Sequence, residues 1–295
     1  MDYARILVAL SLSHGRDAGF DRALSLAQVS GADLYLLHAV PADFPFSYRA
    51  AERLQRLARF RERAAAAGVN VQTIQQHGDP AEIIVLHGNA LSVDLIVMGT
   101  GRRTGWAQFR KASVGERVIH LTERPALVVR DDTHPDAAFE NVLVAVDLAP
   151  GATQVIDAAV RLAGSDVRRL TVLHALDSIE AASAVRHPAR WLVPEYRGHV
   201  LNDARRRLQA MLPAGIDRDI AVELRVVPGP VAETIGKQAA ALDAHLIVVA
   251  RTRRFTRLGS NTLRVLRRGD RTLLVLPPSA SAETIEVRPP QMRAA

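Results

Sequence analysis

The chain has 295 residues, 48% of them hydrophobic, enough apolar material for two buried cores of ordinary size. It contains no cysteine, which excludes disulfides, thiolate nucleophiles and zinc–thiolate sites. The formal charge of +7 is spread over both halves and reads first as a solvated, arginine-rich surface, with an anionic partner as the alternative.

In chain order, Arg5–Leu10 is apolar almost throughout and predicts a buried strand, followed by a helix over Ala18–Ala27. Strand Asp33–Val40 leads to a long helix over Arg49–Ala66, with Leu54, Leu57 and Ala58 expected on its inward face. A short strand near Val69–Ile74 precedes a helix from Pro80 to Ala90, where proline suits the first turn. Strand Asp94–Gly99, a basic loop, helix Ser113–Leu121 and strand Ala126–Arg130 complete the unit. Near-continuous apolar strands alternating with helices indicate a parallel sheet covered on both faces.

The same blocks then recur in the same order. Ile6–Leu10 returns as Val142–Val146, Leu34–Val40 as Leu170–Leu176, Asp94–Met98 as His245–Val249 and Ala126–Val129 as Leu273–Leu276. Two length changes separate the copies: an insertion at Ser178–Gly198, containing Pro188, Trp191 and Pro194, and a short deletion just before Ser260. The insertion reads as a lid or a lengthened connection. The second long helix is supported by Val200, Ala204, Leu208 and Met211 at helical intervals. The expected domains are residues 1–133 and 139–278, joined by a polar linker near Asp131–Phe139, with 279–295 a disordered tail. No apolar run approaches the roughly 18 residues of a membrane span, so the expectation is a cytoplasmic protein with no membrane partner.

Five parallel strands wound both ways from the first bind ligands at the carboxyl ends, where strand order reverses. In the order 3-2-1-4-5 the informative loops follow Leu10 and Gly99 in copy one, and Val146 and Ala250 in copy two. Here Val97-Met98-Gly99-Thr100, Ala112-Ser113-Val114, Glu116-Arg117-Val118 and Pro125–Val129, with Leu143–Asp147 in copy two, resemble the universal stress protein family. The resemblance covers roughly residues 3–131 and 140–278. It implies an α/β fold of two doubly wound five-stranded parallel-sheet domains of the adenine nucleotide alpha hydrolase-like type, with dimerisation through the last strand. For some members it also implies ATP or AMP bound by a G-x-x-G-x9-G-[ST] loop, with an aspartate after the first strand.

Residue by residue, copy one keeps Gly99 and Ser113 of that loop. It carries Arg102 and Ala112 at the other glycine positions, with Gly101 nearby, and Ser11 in place of the aspartate. Copy two keeps Asp147, Gly259 and Ser260 but has Ala250 and Arg253 at the first two glycine positions. The candidate ligand-binding residues are therefore Gly99, Gly101, Arg102, Ser113 and Ser11, with Asp147, Arg253, Gly259 and Ser260 in the second copy. Both loops have become basic, with Arg102, Arg103, Arg110 and Lys111 in one and Arg251, Arg253, Arg254 and Arg257 in the other. Charge-assisted contacts to an anionic small molecule would replace glycine cradling there.

His38 and His174 repeat only because the chain is duplicated, and no H-E-x-x-H or G-x-S-x-G pattern occurs, so neither metal nor catalytic residues are assigned. With 4% aromatic residues, the Arg205–Arg207 run reads as a solvated helix face, and nucleic acid is disfavoured. The leading expectation is a stress-response regulatory or ligand-sensing protein, not an enzyme, built as an intramolecular pseudo-dimer that can dimerise further. An ATP- or AMP-binding switch and a weak ATPase acting through Asp147 are the alternatives.

Overall fold

The computed structural model describes residues 3–12, 17–41, 50–100, 113–130, 138–177, 194–217, 219–251 and 260–278. The first half runs β1 (Arg5–Ala9), α1 (Ala18–Ser30), β2 (Asp33–Val40), α2 (Ala50–Ala66), β3 (Val71–His77), α3 (Pro80–Ala90), β4 (Leu95–Thr100), α4 (Val114–Leu121) and β5 (Ala126–Arg130). The second runs β6 (Asn141–Ala145), α5 (Ala152–Ala163), β7 (Arg169–Leu176), α6 (Pro194–Ala210), β8 (Ala221–Pro228), α7 (Val231–Ala241), β9 (Leu246–Ala250), α8 (Ser260–Arg268) and β10 (Thr272–Leu276).

Local chemistry sets many of these limits. The Asp17 carboxylate accepts the Phe20 amide to open α1, and Gly31 closes it in the left-handed conformation at φ 73°. Asp79 accepts from the Ala81 and Glu82 amides ahead of α3, with Pro80 in the first turn as expected, so Gly78-Asp79-Pro80 is a helix entry.

Several elements depart from the sequence reading. β3 lies at Val71–His77, later than expected, because Val69 is drawn into the end of α2 by its amide bond to the Ala64 carbonyl. The polar Gln72, Gln75 and Gln76 are tolerated since β3 is an edge strand. On α2 the inward stripe is Leu57, Phe60 and Ala64, whereas Leu54 is 55% exposed. Phe60 fixes that rotation by meeting Phe20 of α1 at 4.7 Å between ring centroids. In α6, Ala204 and Leu208 are buried as expected while Val200 is half-buried, and Met211 falls just past the helix. The insertion therefore ends in helix from Pro194, and its residues 178–193 lie outside the described set, as does the 279–295 tail. Phe139, assigned to a polar linker, is buried with the Arg22 guanidinium 4.2 Å from its ring.

The ten strands form one continuous sheet in the order β3-β2-β1-β4-β5-β10-β9-β6-β7-β8. Within each half the neighbours are parallel in the order 3-2-1-4-5, and the halves join where β10 lies antiparallel to β5. Leu273, Leu274 and Val275 face Val128, Leu127 and Ala126 across this junction. Alternating side chains build two cores that run through both halves. Val8, Leu34, Leu127 and Leu274 meet Phe20, Leu57, Ile156 and Leu208 on one face. Leu7, Val128, Leu273 and Val275 meet Ile84, Ile119, Ile235 and Leu266 on the other. Among the described residues no helix is long and apolar enough to cross a membrane.

Leu127, fully buried at the junction, and Leu54, exposed on α2, make opposite predictions. Leu127→Ala is expected to lower unfolding stability by about 2–5 kcal/mol, from lost transfer energy plus a cavity. Leu54→Ala should stay within about 0.5 kcal/mol. Urea titrations followed by circular dichroism compare the two.

Candidate functional site

β1 has neighbours on both sides, β2 and β4, and the chain leaves it in opposite directions to reach them. The strand tips splay there around a cleft of about 650 Å³. Leu10, Ser11 and Leu12 line it from the end of β1, His38 from β2, Arg53 and Arg56 from α2, Met98 and Gly99 from β4, and Val114 and Gly115 from α4.

Most polar groups at the cleft are held by their neighbours. The His38 ring is buried, with Nδ1 2.9 Å from the Leu10 carbonyl oxygen. A carbonyl can only accept, so Nδ1 carries the hydrogen and clips the tip of β2 to the tip of β1. Burial pushes the His38 imidazole below its usual value of 6.5; the Leu10 bond opposes this, while the Arg53 charge and His77 add to it. His174 makes the equivalent contact in copy two, 3.0 Å from the Val146 carbonyl, which gives the repeated histidines a shared structural duty. Arg56 donates to the Leu12 carbonyl at 2.6 Å and to Glu52 at 2.6 Å, tying α2 to the chain beyond β1. Leu12 itself sits at φ 54°, in the left-handed region.

Gly99, a sequence-predicted ligand residue, has a packing reason to lack a side chain. A Cβ there would stand 2.8 Å from the Asp17 carboxylate oxygen, and a Cβ on Gly19 would stand 2.5 Å from the Gly99 nitrogen. The start of α1 thus crosses the end of β4 backbone to backbone.

Ser113 is the N-cap of α4, its Oγ accepting from the Glu116 amide at 3.2 Å. A serine hydroxyl can donate as well as accept, and the helix start favours negative charge on its cleft side. Arg117 in the next turn reaches Asp79 at 2.5 Å and Glu82 at 3.6 Å, joining the starts of α3 and α4. The Arg117 guanidinium holds the Asp79 carboxyl below the usual carboxylate range. Glu82, in the first turn of α3 where a carboxylate complements the helix dipole, also pairs with Arg117.

Of the sequence-predicted residues, Ser11 and Gly99 share the copy-one cleft, with Ser113 at its α4 border. Gly101, Arg102, Arg253 and Gly259 lie outside the described residues, together with the other loop cations except Arg251. Asp147 is exposed beyond β6, and Ser260 opens α8. Because β5 and β10 are antiparallel, every strand of copy two runs against those of copy one. Asp147 and Ser260 therefore belong to the opposite end of the sheet from Ser11 and Gly99.

One expectation is corrected. Arg251, counted among the loop cations free to hold an anion, donates instead to the Ile119 carbonyl at 2.8 Å and to the His120 carbonyl of α4. The C-terminal carbonyls of a helix are a natural seat for a guanidinium. Sequence reading also missed Asp17, Gly19, Arg53 and Arg56. Asp17 carried the N-cap signal of an acidic residue ahead of a helix, but the two arginines had none, since their reach depends on where α2 docks.

The profile of the universal stress protein family matches residues 2–130 and again residues 138–277. The chain belongs to the universal stress protein family. It is 31% identical over 147 residues to the universal stress protein YxiE of Bacillus subtilis, spanning 43% of this chain and 99% of that one. It is 28% identical over 148 residues to a putative universal stress protein of Staphylococcus haemolyticus, 46% of this chain and 90% of that one. Among solved structures, a universal stress protein from Archaeoglobus fulgidus DSM 4304 aligns with a TM-score of 0.68 at 18% identity, covering 94% of this chain and 97% of that one. A putative universal stress protein from Pseudomonas aeruginosa UCBPP-PA14 aligns at 0.63 with 20% identity, covering 94% of both chains. The two bacterial relatives match about half of this universal stress protein, whereas the two structures share the fold of the whole.

Gly19→Ala should push α1 off β4 and destabilise this universal stress protein by about 1–3 kcal/mol, read as a lower urea midpoint. His38 makes a pH prediction. Its folded value lies below the unfolded one, so its contribution is present above pH 6.5 and is lost as pH falls through the lowered value. The urea midpoint should drop between pH 7 and pH 5, and His38→Asn, which does not titrate, should flatten that drop.

Proposed function

We propose that this universal stress protein is a regulatory, ligand-sensing protein of the cytoplasmic stress response rather than a dedicated catalyst. Its copy-one cleft takes a small anionic ligand, with ATP or AMP the first candidates. The observation that carries this reading is the open cleft at the β1–β4 reversal, bordered by the Ser113-capped start of α4. An apolar floor of Leu10, Ile84 and Met98 suits a ring, and the helix start with Arg53 suits a negative group.

A sensing role is favoured over hydrolysis by how the cleft's reactive groups are engaged. His38 gives its Nδ1 hydrogen to Leu10 and burial disfavours a proton on its unpartnered Nε2, while Arg56 is held by Leu12 and Glu52. Asp147, the residue an ATPase mechanism would recruit, belongs to the other end of the sheet. Occupancy would then act by shifting α4 and the strand tips, altering a surface that a partner reads.

Isothermal titration of ATP, AMP and inorganic polyphosphate into the full chain tests the reading. Heat of binding is expected for at least one of them and should vanish in Ser11→Trp, which fills the cleft mouth. No heat from any at millimolar concentration would overturn the proposal.

A further inference from the structure

The helix that borders the copy-one cleft is held by copy two. α4 starts at the cleft with Val114 and Gly115 and runs its eight residues, about 12 Å at 1.5 Å per residue, toward the other end of the sheet. The tip of β9 lies at that other end, because the antiparallel β5–β10 junction reverses copy two. Arg251, the first residue past β9, takes the Ile119 and His120 carbonyls at the end of α4. Arg267 of α8 reaches the start of the same helix, with Nε and Nη2 each 2.9 Å from a Glu116 carboxylate oxygen. This two-pronged fork onto the carboxylate of Glu116, a residue only 9% exposed, is the arginine contact with the most directional control.

The grip is not a by-product of duplication. Aligning Ser113 with Ser260 sets Leu263 opposite Glu116 and His120 opposite Arg267, so the forked pair occurs once. In return copy one supplies Arg130, whose Nη2 donates to the Leu266 carbonyl near the end of α8. Among the described residues copy two thus holds α4 at both ends, while α8 receives a single arginine near one end.

We infer that copy two is the positioning half of the protein: Arg251 and Arg267 hold α4 against the sheet and so set the shape of the copy-one cleft. Neither arginine touches the cleft. Both act through α4, and their effect on ligand affinity rests on the functional reading above.

The test uses the full chain with Arg251→Met and Arg267→Met, which keep side-chain length and lose the guanidinium. Arg206→Met on the exposed face of α6 is the control. Methyl NMR signals of Val114, Ile84 and Met98, which line the cleft, report the placement of α4 with no ligand present. Both variants should move the Val114 and Ile84 signals while the control does not. AMP affinity should weaken roughly five- to tenfold, within the usual range for coupled sites, with Arg267→Lys restoring part of it. Unmoved cleft methyls would overturn the inference whether or not AMP binds, and so would AMP affinity equal to wild type. If wild type shows no AMP heat, only the functional reading falls, and the methyl spectra still decide the role of copy two. Should Arg251→Met fail to fold, Arg251→Gln, whose shorter side chain falls short of the α4 carbonyls and carries no charge, makes the same comparison.

Discussion

The antiparallel pairing of β5 with β10 is the contact on which the rest of this molecule depends. Each would otherwise be the exposed edge of a five-stranded sheet, with unpaired backbone groups and the apolar residues Leu127, Val128, Leu273 and Leu274 at a boundary. Joined, they put all four in the middle of a ten-stranded sheet and merge the two cores on each face. The pairing also sends the carboxyl ends of the two copies' strands to opposite sides, since parallel order within each half leaves direction as the only freedom at the joint. Covalent linkage keeps the partner strand at high effective concentration, so the junction forms within one chain.

From that arrangement follows the economy of the cleft. Polar side chains in and beside its walls tie the surrounding elements together: His38 Nδ1 on Leu10, Arg56 on Leu12, Asp17 on the start of α1. Where β4 meets α1 there is room for backbone alone, hence the glycine pair Gly19 and Gly99. The cleft is thus shaped by contacts that also stabilise the fold, and a ligand would enter a largely preformed site. Duplication preserved the histidine clip in both copies but left the arginine contacts unequal, so the two copies share a scaffold and differ in what their strand tips do.

Much of the fold was legible in the chain itself. Near-continuous apolar strands, the order of repeated blocks and Pro80 at a helix start all express local chemistry, and the strand order followed from winding rules. Ser113 as a helix cap and Ser11 with Gly99 at one cleft were readable for the same reason, since strand tips in such sheets converge. Leu54 was misread because periodicity allows more than one stripe on α2, and only the Phe20–Phe60 contact selects the rotation.

By itself, then, the sequence determined two copies of a parallel α/β unit, because hydrophobic periodicity and turn chemistry act over a few residues. Tertiary structure alone decided where the long cationic side chains end. Arg251 looks like a loop cation until the fold brings it to a carbonyl 132 residues away, and Arg267 meets Glu116 across 151. An arginine's partner is set by whichever acceptors the folded chain carries within its reach, and no local pattern records them.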